Sequence, residues 1–254
     1  MTSAFDAVAS NFERFRMLPE GVPQAIRASI FAAAHSSSAA KILDLGAGTG
    51  RIGRTFVEAG DNYVGVDTSI SMLREFRNST MNACLAQADG RRLPFRNGSF
   101  DVVLLMHVLS GTGDWQPMLN EVRRVCRADG IVAVGRTVSS ETGINVQLKH
   151  QLKMILQEMG IPWHRSQESY RESLDWLESP ATRHVHSQVA TWTHSGTAQE
   201  FISRHRSGAR FAALPPDVQE QALQKLSAWA KETFGSLENA SAEQRSFELD
   251  IFGF

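Results

Sequence analysis

The sequence predicts a doubly wound α/β fold: a mostly parallel, seven-stranded Rossmann-like sheet with helices on both faces and a helical cap insertion. Three observations predict it. From residue 41 to 134, short apolar runs alternate with stretches of helical periodicity. The run Phe100-Asp101-Val102-Val103-Leu104-Leu105-Met106 is nearly continuous in apolar residues, as a strand covered on both faces must be. Two late segments, Val185 to Trp192 and Phe247 to Phe252, have strand character and complete the sheet.

The elements follow in order. Phe5, Val8, Phe12 and Phe15 recur at helical spacing, with Arg14 and Arg16 beside them, and Val22 to Ala34 is a second helical stretch. After a small-residue loop at 35–40, the strand Lys41 to Leu45 ends in glycines. Ile52 to Ala59 reads as a helix with Gly60 in the C-terminal cap position. Tyr63 to Asp67 is a strand, Ile70 to Phe76 a helix, and Ala83 to Gln87 a weaker strand. Pro117 to Cys126 is helical, and Ile131 to Val134 is a strand after the Asp129-Gly130 turn. Beyond Arg136 the pattern turns helical over Ile144 to Met159 and Ser169 to Leu177, then again over Ala198 to Arg206 and Pro216 to Phe234. The organisation expected is one domain over 1–254. It comprises an N-terminal helical lid (1–34), a ligand-binding core (40–136), a cap insertion (137–182) and a closing segment (183–254).

Composition narrows the function. Lys and Arg number 26 against 27 Asp and Glu, so the net charge of −1 offers no broad footprint for nucleic acid or an anionic membrane. Cys84 and Cys126 lack CxxC spacing and read as buried thiols, so no metal is expected. The N-terminus lacks the basic and apolar blocks of a leader, and no run approaches the ~18 apolar residues of a membrane span. A soluble, cytoplasmic protein, monomer or homodimer, is expected.

The strongest motif is Leu43-Asp44-Leu45-Gly46-Ala47-Gly48-Thr49-Gly50-Arg51, at the junction of the first strand and its helix. Glycines there let the backbone turn tightly and approach a ligand. Asp67, ending the second strand, suits the two hydroxyls of a ribose, and Asp89 lies just past the third strand. Gly48-Thr49-Gly50-Arg51-Ile52-Gly53 also satisfies GxGxxG, so an NAD(P)-dependent oxidoreductase stays open. Asp44 favours a ligand with an ammonium group over one with phosphates.

These motifs, with Gly65-Val66-Asp67-Thr68-Ser69, Met72-Leu73, Asp89-Gly90, Leu93-Pro94-Phe95 and Leu119 to Val125, resemble class I S-adenosylmethionine-dependent methyltransferases. The likeness is to those that methylate small molecules, including quinone, sterol and natural-product enzymes. It covers about residues 40–136 firmly; Arg127-Ala128-Asp129-Gly130 departs where the family often has proline and two glycines. The resemblance implies S-adenosyl-L-methionine as cofactor, with S-adenosyl-L-homocysteine as product. Gly46, Ala47, Gly48, Thr49 and Gly50 would lie against its methionine part, and Asp44 would hold its amino group. Asp67 would take the ribose, Thr68 and Met72 would border the adenine, and Asp89, flanked by Ala88 and Gly90, would accept from the adenine amino group. Met106 and His107 follow at the fourth strand's tip, near where the family places the methyl group. An imidazole with a pKa near ~6.5 suits a general base for a hydroxyl or amine; the alternative is a histidine that only shapes the pocket. An RNA or protein methyltransferase shares the core, but Met106-His107-Val108-Leu109 is not the NPPY type of tetrapeptide.

His164, His184, His186, His194 and His205 are among the histidines of the second half. His184 and His186 share one strand face and could begin a metal site, but nothing at regular spacing completes it. Arg204-His205-Arg206 with Arg210 forms a small basic patch, which reads as solvated helix charge or a hold for an acidic substrate. Trp163, Trp176 and Trp192 read as core packing.

Overall fold

In the computed structural model the described residues are 17–34, 39–109, 114–162, 166–206, 211 and 214–254. The expected N-terminal helix (Phe5, Val8, Phe12, Phe15), part of the loop at 35–40, Trp163, His164, Arg210 and the Arg206 side chain lie outside the described residues.

Helix α1 (Val22–Ala34) precedes β1 (Lys41–Leu45), α2 (Gly53–Glu58), β2 (Asn62–Asp67), α3 (Ile70–Ser79) and β3 (Cys84–Gln87). Then come β4 (Phe100–Met106), α4 (Gln116–Val125), β5 (Cys126–Ser139), α5 (Ile144–Glu158) and α6 (Ser166–Glu178). The chain closes with β6 (Arg183–Gly196), α7 (Ala198–Arg206), α8 (Pro216–Phe234) and β7 (Ser241–Gly253). The seven strands form one sheet in the order β3-β2-β1-β4-β5-β7-β6. β3, β2, β1, β4 and β5 pair in parallel. β7 runs antiparallel to β5, since Gly130 pairs with Phe254 and Ser140 with Gln244.

The order reverses direction between β1 and β4, which opens a crevice at their carboxyl ends. Strands β1 and β4 can sit there because Ile42, Leu43, Val102, Val103, Leu104 and Leu105 have no exposed surface, so both faces are covered. On one face Leu119, Val122 and Val125 of α4 meet Val103, Leu105 and Phe252. Burying each such side chain contributes about 1.5–3 kcal/mol.

The chain divides into two compact units. The first holds 1–136, 165–190 and 247–254, and the second holds 137–164 and 191–246. The stretch expected as one insertion, 137–182, is therefore shared: α5 belongs to the second unit, while α6 packs with α4 in the first. The second unit buries Ile144, Leu148 and Leu152 of α5 against Ala198 and Phe201 of α7 and Leu223 and Leu226 of α8. Its polar centre is Glu243, which accepts from Ser139 Oγ, Asn145 Nδ2 and Arg245 Nε.

Candidate cofactor site

A cavity of about 520 Å³ opens at the carboxyl ends of β1, β2 and β4, wholly within the first unit. That volume suits a ligand of nucleoside size with an appended side chain. The glycine loop after β1 forms its floor. Gly46 N and Ala47 N both donate to the Val66 carbonyl, which ties the loop to β2. Gly48 stands at φ +56°, and a Cβ there would meet nothing nearer than 3.9 Å, so its backbone faces open space.

Asp67 braces this loop from β2. Its Oδ2 accepts from Gly48 N at 2.9 Å and its Oδ1 from Ser69 N at 2.8 Å. A carboxylate has about four acceptor sites, so these two bonds orient it at the strand tip without exhausting it. Ser69 caps α3, its hydroxyl accepting from Met72 N, and this sets Thr68 and Met72 on the cavity wall.

Asp44 is the most unusual group. It is only 3% exposed, and Tyr63 donates its hydroxyl to Oδ2 at 2.6 Å. Asp44 Oδ1 and the nearby Thr49 Oγ1 are buried and have no hydrogen-bond partner among the described residues. Burial pushes the Asp44 carboxyl up to about 7; the Tyr63 hydroxyl opposes that rise and the Asp67 charge adds to it. A buried acceptor without a donor costs about 1–3 kcal/mol, so this corner fits a ligand that brings a donor.

Thirteen of the fourteen residues singled out from the sequence line this cavity: Asp44, Gly46, Ala47, Gly48, Thr49, Asp67, Thr68, Met72, Ala88, Asp89, Gly90, Met106 and His107. Gly50 stands apart. At φ +83° it faces the Phe76 ring, where a Cβ would lie 2.3 Å from Cδ2, so it serves packing between loop and α3. Asp89 is held by its neighbour: Arg91 Nη2 donates to Oδ2 at 2.7 Å and Arg91 N to Oδ1 at 2.9 Å. Those bonds from Arg91 hold the Asp89 carboxyl below its usual range.

His107 adopts φ +61°, and its ring meets Phe247 edge-on with centroids 5.6 Å apart. Of the second-half histidines, His184 and His186 converge on one oxygen, Asp250 Oδ1, at 2.9 and 3.0 Å. Among the described residues no cluster of three His, Cys, Asp or Glu has the geometry of a metal site. His205 stacks on Phe201 with centroids 3.9 Å apart, and Trp176 packs edge-on against Trp115. Cys126 is buried as expected, but Cys84 at the head of the edge strand β3 is exposed.

Sequence reasoning missed Arg51, Ile52, Arg91, Val108, Asp114 and Met118 on the cavity wall, and Tyr63 behind it. For Arg91 a signal existed: an arginine two residues after an aspartate in a turn pairs with it readily. For Tyr63 there was none, because its reach to Asp44 depends on Gly53 and Gly65 leaving room for the hydroxyl.

Residues 43–134 match the methyltransferase domain family. A demethylmenaquinone methyltransferase of Streptomyces griseus is 33% identical over 135 residues, 53% of this chain and 59% of the relative. The match thus spans less than two thirds of that relative's length. A putative methyltransferase of Bacillus halodurans shares the fold with a TM-score of 0.57 at 13% identity, over 89% of this chain and 97% of that one. The Haemonchus contortus phosphoethanolamine N-methyltransferase 2, solved with S-adenosyl-L-methionine, gives 0.54 at 13% identity, over 98% of this chain and 57% of that one. Among the described residues no helix is long and apolar enough to cross a membrane. Over residues 43–134 the chain is thus similar in sequence to the methyltransferase domain family.

Proposed function

We propose that the chain is an S-adenosylmethionine-dependent methyltransferase acting on an oxygen, nitrogen or carbon atom of a small organic acceptor. One observation carries the reading: a buried carboxylate oxygen, Asp44 Oδ1, lacks a donor among the described residues in the cavity that also holds Asp67 and the open backbone of Gly48.

The residues present fit S-adenosylmethionine. Asp44 and the backbone of residues 46–49 would hold its amino-acid end, and Asp67 its ribose hydroxyls. Thr68, Met72, Ala88, Asp89 and Gly90 would border the adenine. The cofactor supplies a methyl group already activated on a sulfonium, so the protein needs to supply position and electrostatics. Alignment of donor and acceptor contributes roughly 7–11 kcal/mol to such a displacement. His107, at the rim beyond Met106, would take the proton of a hydroxyl or amine acceptor.

The dinucleotide reading fares worse on the same geometry. Two glycines of the GxGxxG match face protein: Gly50 meets Phe76, and Gly53 meets the Tyr63 hydroxyl and Asp44 Oδ2. An acidic side chain buried at the start of α2 repels a pyrophosphate where that motif would place one.

The test is turnover with methyl-labelled S-adenosylmethionine against hydroxyl, amine and acidic-carbon acceptors. The Streptomyces griseus relative is named a demethylmenaquinone methyltransferase, so quinols with an unsubstituted ring carbon head the panel. Labelled product from any of them supports the reading; tight cofactor binding with no turnover on the whole panel would reduce the chain to a binding module.

A further inference from the structure

Tyr63 does not touch the cavity, yet its environment is built around its hydroxyl. The ring stacks on Phe56 with centroids 6.1 Å apart at 25°, and meets Phe76 edge-on at the same distance. The hydroxyl then passes between two glycines. A Cβ at Gly53 would lie 2.1 Å from it and one at Gly65 3.1 Å, so any larger residue would displace the group. At the end of that path it donates to Asp44 Oδ2 at 2.6 Å, in a region where both residues are at most 5% exposed. Asp44 Oδ1, with no hydrogen-bond partner among the described residues, remains as the carboxylate's other acceptor.

We propose that Tyr63 is a positioning residue for the cofactor's ammonium group: by occupying Asp44 Oδ2 it fixes the carboxylate with Oδ1 as the acceptor for that cation. The inference rests on the methyltransferase reading and deepens it. It also gives cofactor binding a pH dependence. Among the described residues two titratable groups act on Asp44. The Tyr63 hydrogen bond favours the carboxylate, and the Asp67 charge at the end of β2 opposes it. Burial leaves the Asp44 carboxyl at about 7, so a neutral-pH solution holds part of it protonated. An ammonium ligand binds the ionised form, so its affinity rises as pH rises through that value. Removing the Tyr63 hydroxyl moves the midpoint higher still, because one donor to the carboxylate is gone.

The experiment compares two ligands on wild type and Tyr63→Phe by calorimetry between about pH 6 and 7.5, below the range where an α-amino group loses its proton. S-adenosylhomocysteine carries the ammonium group; 5′-methylthioadenosine shares the nucleoside and lacks it. The expected result is a loss of about tenfold in S-adenosylhomocysteine affinity at pH 6.5 in the variant, the scale of one hydrogen bond to a charged group. The loss shrinks as pH rises, and 5′-methylthioadenosine is unaffected. An equal loss for both ligands, or an unchanged pH midpoint, would overturn the proposal. Wild type binding neither ligand would overturn the methyltransferase reading and this inference with it. A second arm keeps the hydroxyl. The chain has two tyrosines, so fluorotyrosine incorporation into Tyr170→Phe alters Tyr63 alone. A more acidic phenol is a stronger donor and should move the midpoint of S-adenosylhomocysteine binding to lower pH; no movement would contradict the proposal even if Tyr63→Phe fails to fold.

Discussion

The backbone N–H of His107 donates to the Gly135 carbonyl at 2.7 Å, and this bond helps hold a histidine at φ +61° beside the cavity. A non-glycine residue in that region costs about 1–3 kcal/mol and persists only where its surroundings enforce it. Histidine is among the side chains enriched there. A ring that takes the acceptor's proton predicts that His107→Ala leaves S-adenosylhomocysteine affinity within about twofold and lowers turnover ~10²-fold. His107→Asn tolerates the same backbone and has no comparable base. A full rate in either variant, measured by initial-rate kinetics, would assign the ring a packing role against Phe247 alone.

Gly48 and Gly50 are two residues apart and should fail differently. Gly50→Ala drives a methyl to 2.3 Å from the Phe76 ring at φ +83°, so strain and overpacking act together. A loss of about 2–4 kcal/mol in denaturant unfolding is expected. Gly48→Ala meets nothing closer than 3.9 Å and costs only the strain of its φ, about 1 kcal/mol. Its methyl stands in the cavity instead, so the expected loss is in cofactor affinity. Similar stability losses for both would contradict this division.

Asp44 should make the ligand-free protein less stable as pH rises. Its carboxyl sits near the ordinary 3.8 when unfolded and at about 7 when folded, chiefly because burial disfavours its charge. The folded state therefore holds the extra proton, and stability falls between about pH 4 and 7 and levels off above. Asp44→Asn removes that dependence. Relative to wild type, the variant should gain on the order of a few kcal/mol between pH 5 and pH 8 in unfolding experiments. A difference independent of pH would mean that Asp44 is ionised throughout.

The His184 pair changes stability in the same direction, since its folded pKa is also raised, but here it is the charged form that the fold favours. Burial alone would lower its pKa, but Asp250 on Nε2 and Glu178 on Nδ1 outweigh burial and raise it above the usual 6.5. Its contribution to stability is complete below about 6.5 and is lost as pH climbs through the folded value. His184→Gln should therefore cost more at pH 5.5 than at pH 8.5. Equal costs, read from denaturation midpoints, would show that its stacking on Phe252 at 4.4 Å matters more than its charge.

The sequence made the sheet's centre legible because β1 and β4 are buried on both faces and are therefore largely apolar, Asp44 being the buried exception in β1 and Asp101 the half-buried one in β4. Its edges were less legible. β7 was expected at 247–252 and extends back to Ser241, through polar residues that no apolar pattern marks. Their strand conformation comes from the Ser140 N to Gln244 carbonyl bond and from the buried Glu243 network. β5 likewise begins at Cys126 rather than after the Asp129-Gly130 turn, with a register shift against β4 between Phe100 and Val102. In the site, residues contributed by a contiguous motif could be read directly. Gly50 looked like a ligand glycine because it sits in the glycine loop, yet its conformational freedom serves a close approach to Phe76. Tyr63, Asp114 and Met118 could not be read, since they reach the site only through the packing of separate elements.

Calorimetric titration with S-adenosylhomocysteine, with NADH as the control, tests the central claim most directly. The geometry around Asp44 and Asp67 predicts micromolar binding of S-adenosylhomocysteine and none of NADH. Binding of NADH alone would contradict the account, because a pyrophosphate would then have to sit beside the buried carboxylate of Asp44.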